Sequence, residues 1–344
     1  MKLLKKTLIS TIASAIVLSL SSCMHYPAAK NSRPPEELSK EIEFDLWKNY
    51  YRKQERFDFS QKEMFNNKKY RIIEVTINPL SQYSGYNSKT NVFDFYISKK
   101  NSKNPTILLL PIMGGKDYPI ESHFARYFTK KGYNIAIVHR EQKIDEEVNA
   151  LEDLDALLKW TVSDNKRVLD WLESQNEVDA NKIGLFSISF GAIKGSLLLP
   201  LEPRIKAAVL GLGGGNLPYI LAHTTEKGLI KHREKLLKKH NLTLQEGEEI
   251  LRSVITYEPY EFAKFIDPDK IMLVNAKFDK VVPYRTGIEL KKRMGNPESL
   301  ILPTGHYTSL FCIPYIKSQA YRFFERKFSQ IEGENKLEKL VEAK

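Results

Sequence analysis

The stretch Lys182-Ile183-Gly184-Leu185-Phe186-Ser187-Ile188-Ser189-Phe190-Gly191-Ala192-Ile193-Lys194-Gly195 decides the fold. Its first half is apolar and β-like, and a helical pattern leaves it from Ala192. At the junction Ser187, Ser189 and Gly191 stand at alternate places. A chain that turns sharply from strand to helix brings backbone close on either side of the residue at the tip, so the flanking residues must be small. Ser189 is the tip residue, and Ser187 is a minor rival for that place. A serine hydroxyl is a poor nucleophile at neutral pH and needs an adjacent base, oriented in turn by a third group.

Outward from this junction, strand-like and helix-like runs alternate. Strands are expected at Tyr70–Ile77, Val92–Ser98, Thr106–Leu110, Tyr133–Val138, Lys182–Ile188, Ile205–Leu210, Lys270–Asn275 and Ser299–Leu302. Unbroken apolar runs such as Ile107-Leu108-Leu109-Leu110 suit strands covered on both faces. Helices are expected at residues 36–56, 120–131, 151–172, 192–199, 284–294 and 309–328. Two opening strands followed by strand–helix alternation predict an α/β domain with a mostly parallel sheet.

Eight strands in this order, with the turn around Ser189, resemble the α/β-hydrolase superfamily from about Tyr70 to Phe328. The first small position is Ser187, where that family usually has Gly. The helix carrying Arg167-Val168-Leu169-Asp170-Trp171-Leu172 before the elbow looks like the dienelactone-hydrolase and prolyl-oligopeptidase-like branches. The resemblance implies a chain order of nucleophile, acid, base. His306 stands in Thr304-Gly305-His306-Tyr307, after the last expected strand, and fits the base. Asp279, in Asp279-Lys280-Val281-Val282-Pro283, resembles the acid loop; Asp267 and Asp269 are rivals on the wrong side of their strand. The oxyanion donors would be the backbone N–H groups of Phe190 and Met113. Pro111-Ile112-Met113 stands where lipases and esterases often carry His-Gly-x. His139, at the end of a strand, could face the site but is read as structural or as a support for the site residues, and Gly213-Gly214-Gly215 as a turn near the substrate.

The implied activity is hydrolysis through an acyl-enzyme on Ser189, without cofactor or metal, on a small-molecule ester. The alternatives are a small-peptide serine peptidase, and a non-enzymatic surface lipoprotein using the same fold as a binding scaffold. Intact Ser189, Asp279 and His306 argue against the scaffold.

The compartment is read from residues 1–23, MKLLKKTLISTIASAIVLSLSSC. Lys2, Lys5 and Lys6 precede an uncharged, mostly apolar stretch, the pattern of a secretory signal. Leu20-Ser21-Ser22-Cys23 resembles the lipobox of bacterial lipoproteins, which implies cleavage after Ser22, acyl chains such as palmitate on Cys23, and anchoring in the cell envelope. Residues 1–22 are thus expected to be the signal peptide, 23–69 a tether and N-terminal helix, 70–328 the hydrolase domain, and 329–344 a polar tail. A helical cap is expected at about 216–265. Its basic stretch at 227–239 could cover the Ser189 pocket and touch anionic lipid, or merely leave its charges in water.

Composition agrees with this class. The 344 residues include 42% hydrophobic and 28% charged residues, ordinary for a globular chain. The formal charge of +11 reflects lysine-rich usage, and no nucleic-acid partner is expected. Two cysteines exclude a disulfide framework, and Cys312 sits in the apolar run Leu310-Phe311-Cys312-Ile313.

Overall fold

The computed structural model describes residues 25–26, 33–43, 51, 53, 56–78, 90–114, 117–139, 151 and 153–342. The signal segment 1–22, Cys23 and most of the tether lie outside the described residues.

One sheet of ten strands forms the body. In chain order these are β1 His25–Tyr26, β2 Phe59–Asn66, β3 Tyr70–Ile77, β4 Asn91–Ser98, β5 Asn104–Leu110, β6 Asn134–Val138, β7 Val178–Ile188, β8 Ile205–Gly211, β9 Ile271–Ala276 and β10 Glu298–Leu302. Their order across the sheet is β1-β10-β9-β8-β7-β5-β6-β4-β3-β2. From β6 to β10 every neighbouring pair is parallel; β2, β3 and β4 add antiparallel at one edge and β1 at the other. The central strands are apolar throughout because both faces are covered.

Helices α1 Pro119–Lys130, α2 Asp153–Glu173 and α3 Phe190–Leu198 follow β5, β6 and β7. Helices α4 Leu217–His223, α5 Lys227–His240, α6 Leu244–Val254 and α7 Pro259–Phe262 fill the interval between β8 and β9, where a helical cap was expected. Helix α8 Tyr284–Arg293 follows β9, and α9 Ile313–Glu342 closes the described chain. One core lies on the α2–α3 side of the sheet and takes in Trp171, Leu197 and the cap residue Leu251. The other lies on the α1–α9 side, around Phe124, Phe128, Phe323 and Phe324. Among the described residues no helix is long and apolar enough to cross a membrane.

Four expectations change. The sheet has ten strands rather than eight, because β1 and β2 lie within residues assigned to the N-terminal segment. All eight residues of β2 are exposed, so no buried alternation marks it. The helix expected at 36–56 is described only at 40–43; Tyr51 is a buried coil residue whose hydroxyl donates to Asp170 of α2. Residues 307–312 form a 3₁₀ turn, and α9 runs on through the segment read as a polar tail.

Candidate active site

β7 ends at Ile188 and α3 begins at Phe190, so the chain reverses direction at a single residue. That residue, Ser189, takes φ 56° and ψ −121°, a conformation costly for any side chain except glycine. Its amide donates to the Gly211 carbonyl at 2.8 Å, and its carbonyl accepts from the Ala192 amide at 2.9 Å. Gly191 makes the turn possible: a Cβ there would lie 2.3 Å from the carbonyl oxygen of Leu110. Ser187 points elsewhere. Its side chain is fully buried, and its hydroxyl oxygen faces Gly195 in α3.

β9 and β10 deliver the partners. The chain leaves β9 into a turn in which one oxygen of Asp279, Oδ1, accepts from the Val281 and Val282 amides at 2.9 and 3.0 Å. The other, Oδ2, lies 2.6 Å from His306 Nδ1. His306 Nε2 lies 2.9 Å from Ser189 Oγ. The expected nucleophile, base and acid are thus joined in one relay at the C-terminal edge of the parallel strands, where ligand sites of such sheets collect. Because Asp279 Oδ1 is held by two amides, the carboxylate is fixed and Oδ2 is left for the imidazole. Asp267 and Asp269 stand before β9, at the opposite end, and Asp267 caps a 3₁₀ turn there.

Met113 and Phe190 both face the cavity above Ser189. Phe190 is the first residue of α3, where backbone N–H groups have no partner within the helix. The Ile112 amide next to Met113 donates to Glu121 Oε1 at 3.1 Å. Glu121 is fully buried on α1, so it pins the β5–α1 loop that carries Met113. In the sequence the only signal of Glu121 is a carboxylate beside the apolar side of α1. No local pattern marks Ser309. Its hydroxyl lies 2.7 Å from Thr304 Oγ1 and donates to the Gly305 carbonyl at 2.9 Å, bracing the loop that holds His306.

The cavity has a volume of about 380 Å³. Leu217, Ile220 and Leu221 of α4 and Leu229 of α5 roof it, all from the first part of the interval 216–265. Glu258 ties the cap together: its carboxylate accepts from the amides of Leu217, Tyr260 and Glu261. Burial pushes its pKa up in spite of those bonds. Arg233 of α5 donates to the carbonyls of Leu221 and Ala222 at the end of α4. The glycines 213–215 follow Leu212, which lines the cavity. They do not line the cavity; added Cβ atoms would strike Ala192, Thr286 and Tyr260, so they serve close packing.

His139 Nε2 lies 3.0 Å from Asp94 Oδ1, and its ring stacks on Tyr118. It joins Asp94 and Glu74 in a group whose ligand-type atoms lie within 4.8 Å of one another, away from the cavity lining. Burial pushes the Cys312 thiol pKa up, which suits an inert core residue.

No family model and no curated protein matches the chain. Solved structures do match. Acetyl xylan esterase 1 from Thermoanaerobacterium sp. JW/SL YS485 superimposes with a TM-score of 0.61 at 13% identity, covering 86% of this chain and 95% of that one. The acetyl xylan esterase from Paenibacillus sp. R4 gives 0.63 at 15%, covering 86% and 97%. A dipeptidyl aminopeptidase IV-like protein from Bacteroides ovatus ATCC 8483 gives 0.53 at 12%, covering 78% of this chain and 43% of that one. The chain therefore has the α/β-hydrolase fold, shared with esterases and with a peptidase-like protein at identities too low to transfer an activity.

Proposed function

We propose that this chain is a serine hydrolase of carboxylic esters, acting through an acyl-enzyme on Ser189. The observation that carries the reading is the relay from Ser189 Oγ through His306 to Asp279, at 2.9 and 2.6 Å, opening on an apolar cavity. Ser189 Oγ attacks the ester carbonyl while His306 Nε2 takes its proton. The carbonyl electrons move to oxygen, which the Met113 and Phe190 amides hold. The C–O bond to the alcohol breaks, and His306 returns the proton to the departing oxygen. Water then repeats the sequence: it loses a proton to His306, attacks the acyl carbonyl, and Ser189 leaves with that proton. Asp279 keeps the imidazole in the tautomer with Nδ1–H and stabilises the imidazolium.

The test is labelling with a fluorophosphonate probe, peptide mapping, and assay on a soluble aryl ester. Label should sit on Ser189, and Ser189→Ala should lose both label and on the order of 10⁴ to 10⁶ in turnover. Full activity of Ser189→Ala sinks the proposal.

The motif Leu20-Ser21-Ser22-Cys23 supports a second element of the reading, a lipid anchor at Cys23 that holds the enzyme in a bacterial cell envelope.

A further inference from the structure

Resting on the ester-hydrolase reading, the chemistry of the cavity selects the acyl group. Its floor lies between the sheet edge and the α1–α9 layer. Phe186, Val209 and Val274 come from β7, β8 and β9, Phe124 from α1 and Ile316 from α9. All five side chains belong to the buried core on that face, so the cavity penetrates the core rather than skimming the surface. The roof adds Ile220 and Leu229 from the cap. The polar side chains on the wall are few, and most are engaged. Ser189 and His306 form the relay, Ser309 braces the His306 loop, and Glu226 accepts from the Leu229 amide to cap α5. A sugar hydroxyl or a free amine held against the floor, among Phe124, Phe186, Val209, Val274 and Ile316, would lose its water without gaining a side-chain partner there. An aliphatic chain meets no such cost.

Size points the same way. An apolar cavity of about 150 Å³ admits benzene and stays dry. The cavity here is about 380 Å³. An acetyl group would leave most of it empty.

We infer that the site takes esters of medium-chain aliphatic acids, with the acyl chain lying between the strand ends of β7–β9 and helices α1 and α9. The mouth suits that cargo, because Tyr307 and Leu310 line the cavity and are also exposed on its rim.

The test uses the full chain and p-nitrophenyl esters of two, four, eight and twelve acyl carbons. From two to eight carbons, kcat/KM should rise about threefold to fourfold for each methylene buried. Ile316→Phe, which puts bulk on the floor, should lower the eight-to-two-carbon ratio of kcat/KM at least tenfold. Leu229→Trp gives the same readout from the roof if the α9 variant fails to fold. A flat or falling profile in an enzyme that cleaves the acetyl ester overturns the acyl-chain inference and leaves ester hydrolysis standing. Failure of every ester, with no fluorophosphonate label on Ser189, overturns both.

Discussion

Ser189 is held in a conformation that most residues avoid, and its neighbours determine whether that is possible. The two serines of the elbow make opposite predictions. Ser187 Oγ has no hydrogen-bond partner and faces Gly195, so Ser187→Ala removes a buried hydroxyl and nothing from the site. Its esterase activity and fluorophosphonate labelling should stay within about twofold of wild type, and its unfolding midpoint should hold or rise. Gly191→Ala should fail, since its new methyl would overlap the Leu110 carbonyl at 2.3 Å and push the elbow out of register. Loss of activity in Ser187→Ala, with a normal Gly191→Ala, would mean that the turn is misread. Chemistry made this site legible in the sequence. A nucleophile needs small flanks, a base needs a loop at the strand ends, and the acid loop has a recognisable form. Glu121 and Ser309 were not legible, because they act by bonding backbone brought near only by the fold, and no local pattern marks that.

At the scale of elements, strands covered on both faces announced themselves and edge strands did not. β5 has five consecutive buried residues at its end, whereas β2 exposes every side chain and β1 is two residues long. A pattern of burial cannot appear where there is no burial. Burial also takes in charged residues, which no apolar pattern marks. Asp164, Lys166, Arg167 and Asp170 are all buried on α2. Arg204, just before β8, explains part of this. Its guanidinium donates to both oxygens of Glu202, at 2.7 and 2.6 Å, and to Asp170 at 2.7 Å. Tyr51 and Lys166 join the same group, so the N-terminal segment, α2 and the start of β8 are tied together. Removing Arg204 takes a shared guanidinium away from two buried carboxylates, Glu202 and Asp170, and leaves Lys166 beside Glu202. Arg204→Ala should cost roughly 3 to 5 kcal/mol in urea unfolding. The network lies at the end of the sheet opposite Ser189, so kcat of the folded fraction should not change. An unshifted unfolding curve would show that the network contributes nothing to stability.

At the scale of the whole molecule, the placement of β1 bears on how the proposed anchor would present the site. β1 runs antiparallel to β10, with His25 opposite Leu300 and Tyr26 opposite Ser299. β10 ends at Leu302 and leads into the His306 loop, so the chain enters the sheet from the catalytic edge. A lipid on Cys23 would be joined to the chain two residues ahead of His25, about 7 Å of extended chain at most. Phe278, Tyr307 and Phe311 are exposed on the loops that carry Asp279 and His306, at 61%, 61% and 81%. Large apolar side chains gathered around a site mouth mark a surface that meets something apolar. The basic face of α5 could assist, since Lys231, Lys235 and Lys238 are exposed there. An enzyme anchored in this way should take its ester from the bilayer that holds it. Wild-type protein reconstituted in vesicles should therefore cleave a membrane-embedded octanoyl ester faster than Cys23→Ala by at least tenfold, the gain expected when an encounter becomes intramolecular. On a water-soluble butyryl ester the two should agree within about twofold, because Cys23 takes no part in the relay. Separation of membrane and soluble fractions, with mass analysis of the N-terminal peptide, shows whether the lipid is present. Equal rates on the embedded ester for lipidated wild type and soluble Cys23→Ala would leave the anchor as a matter of location alone, without influence on how substrate reaches Ser189.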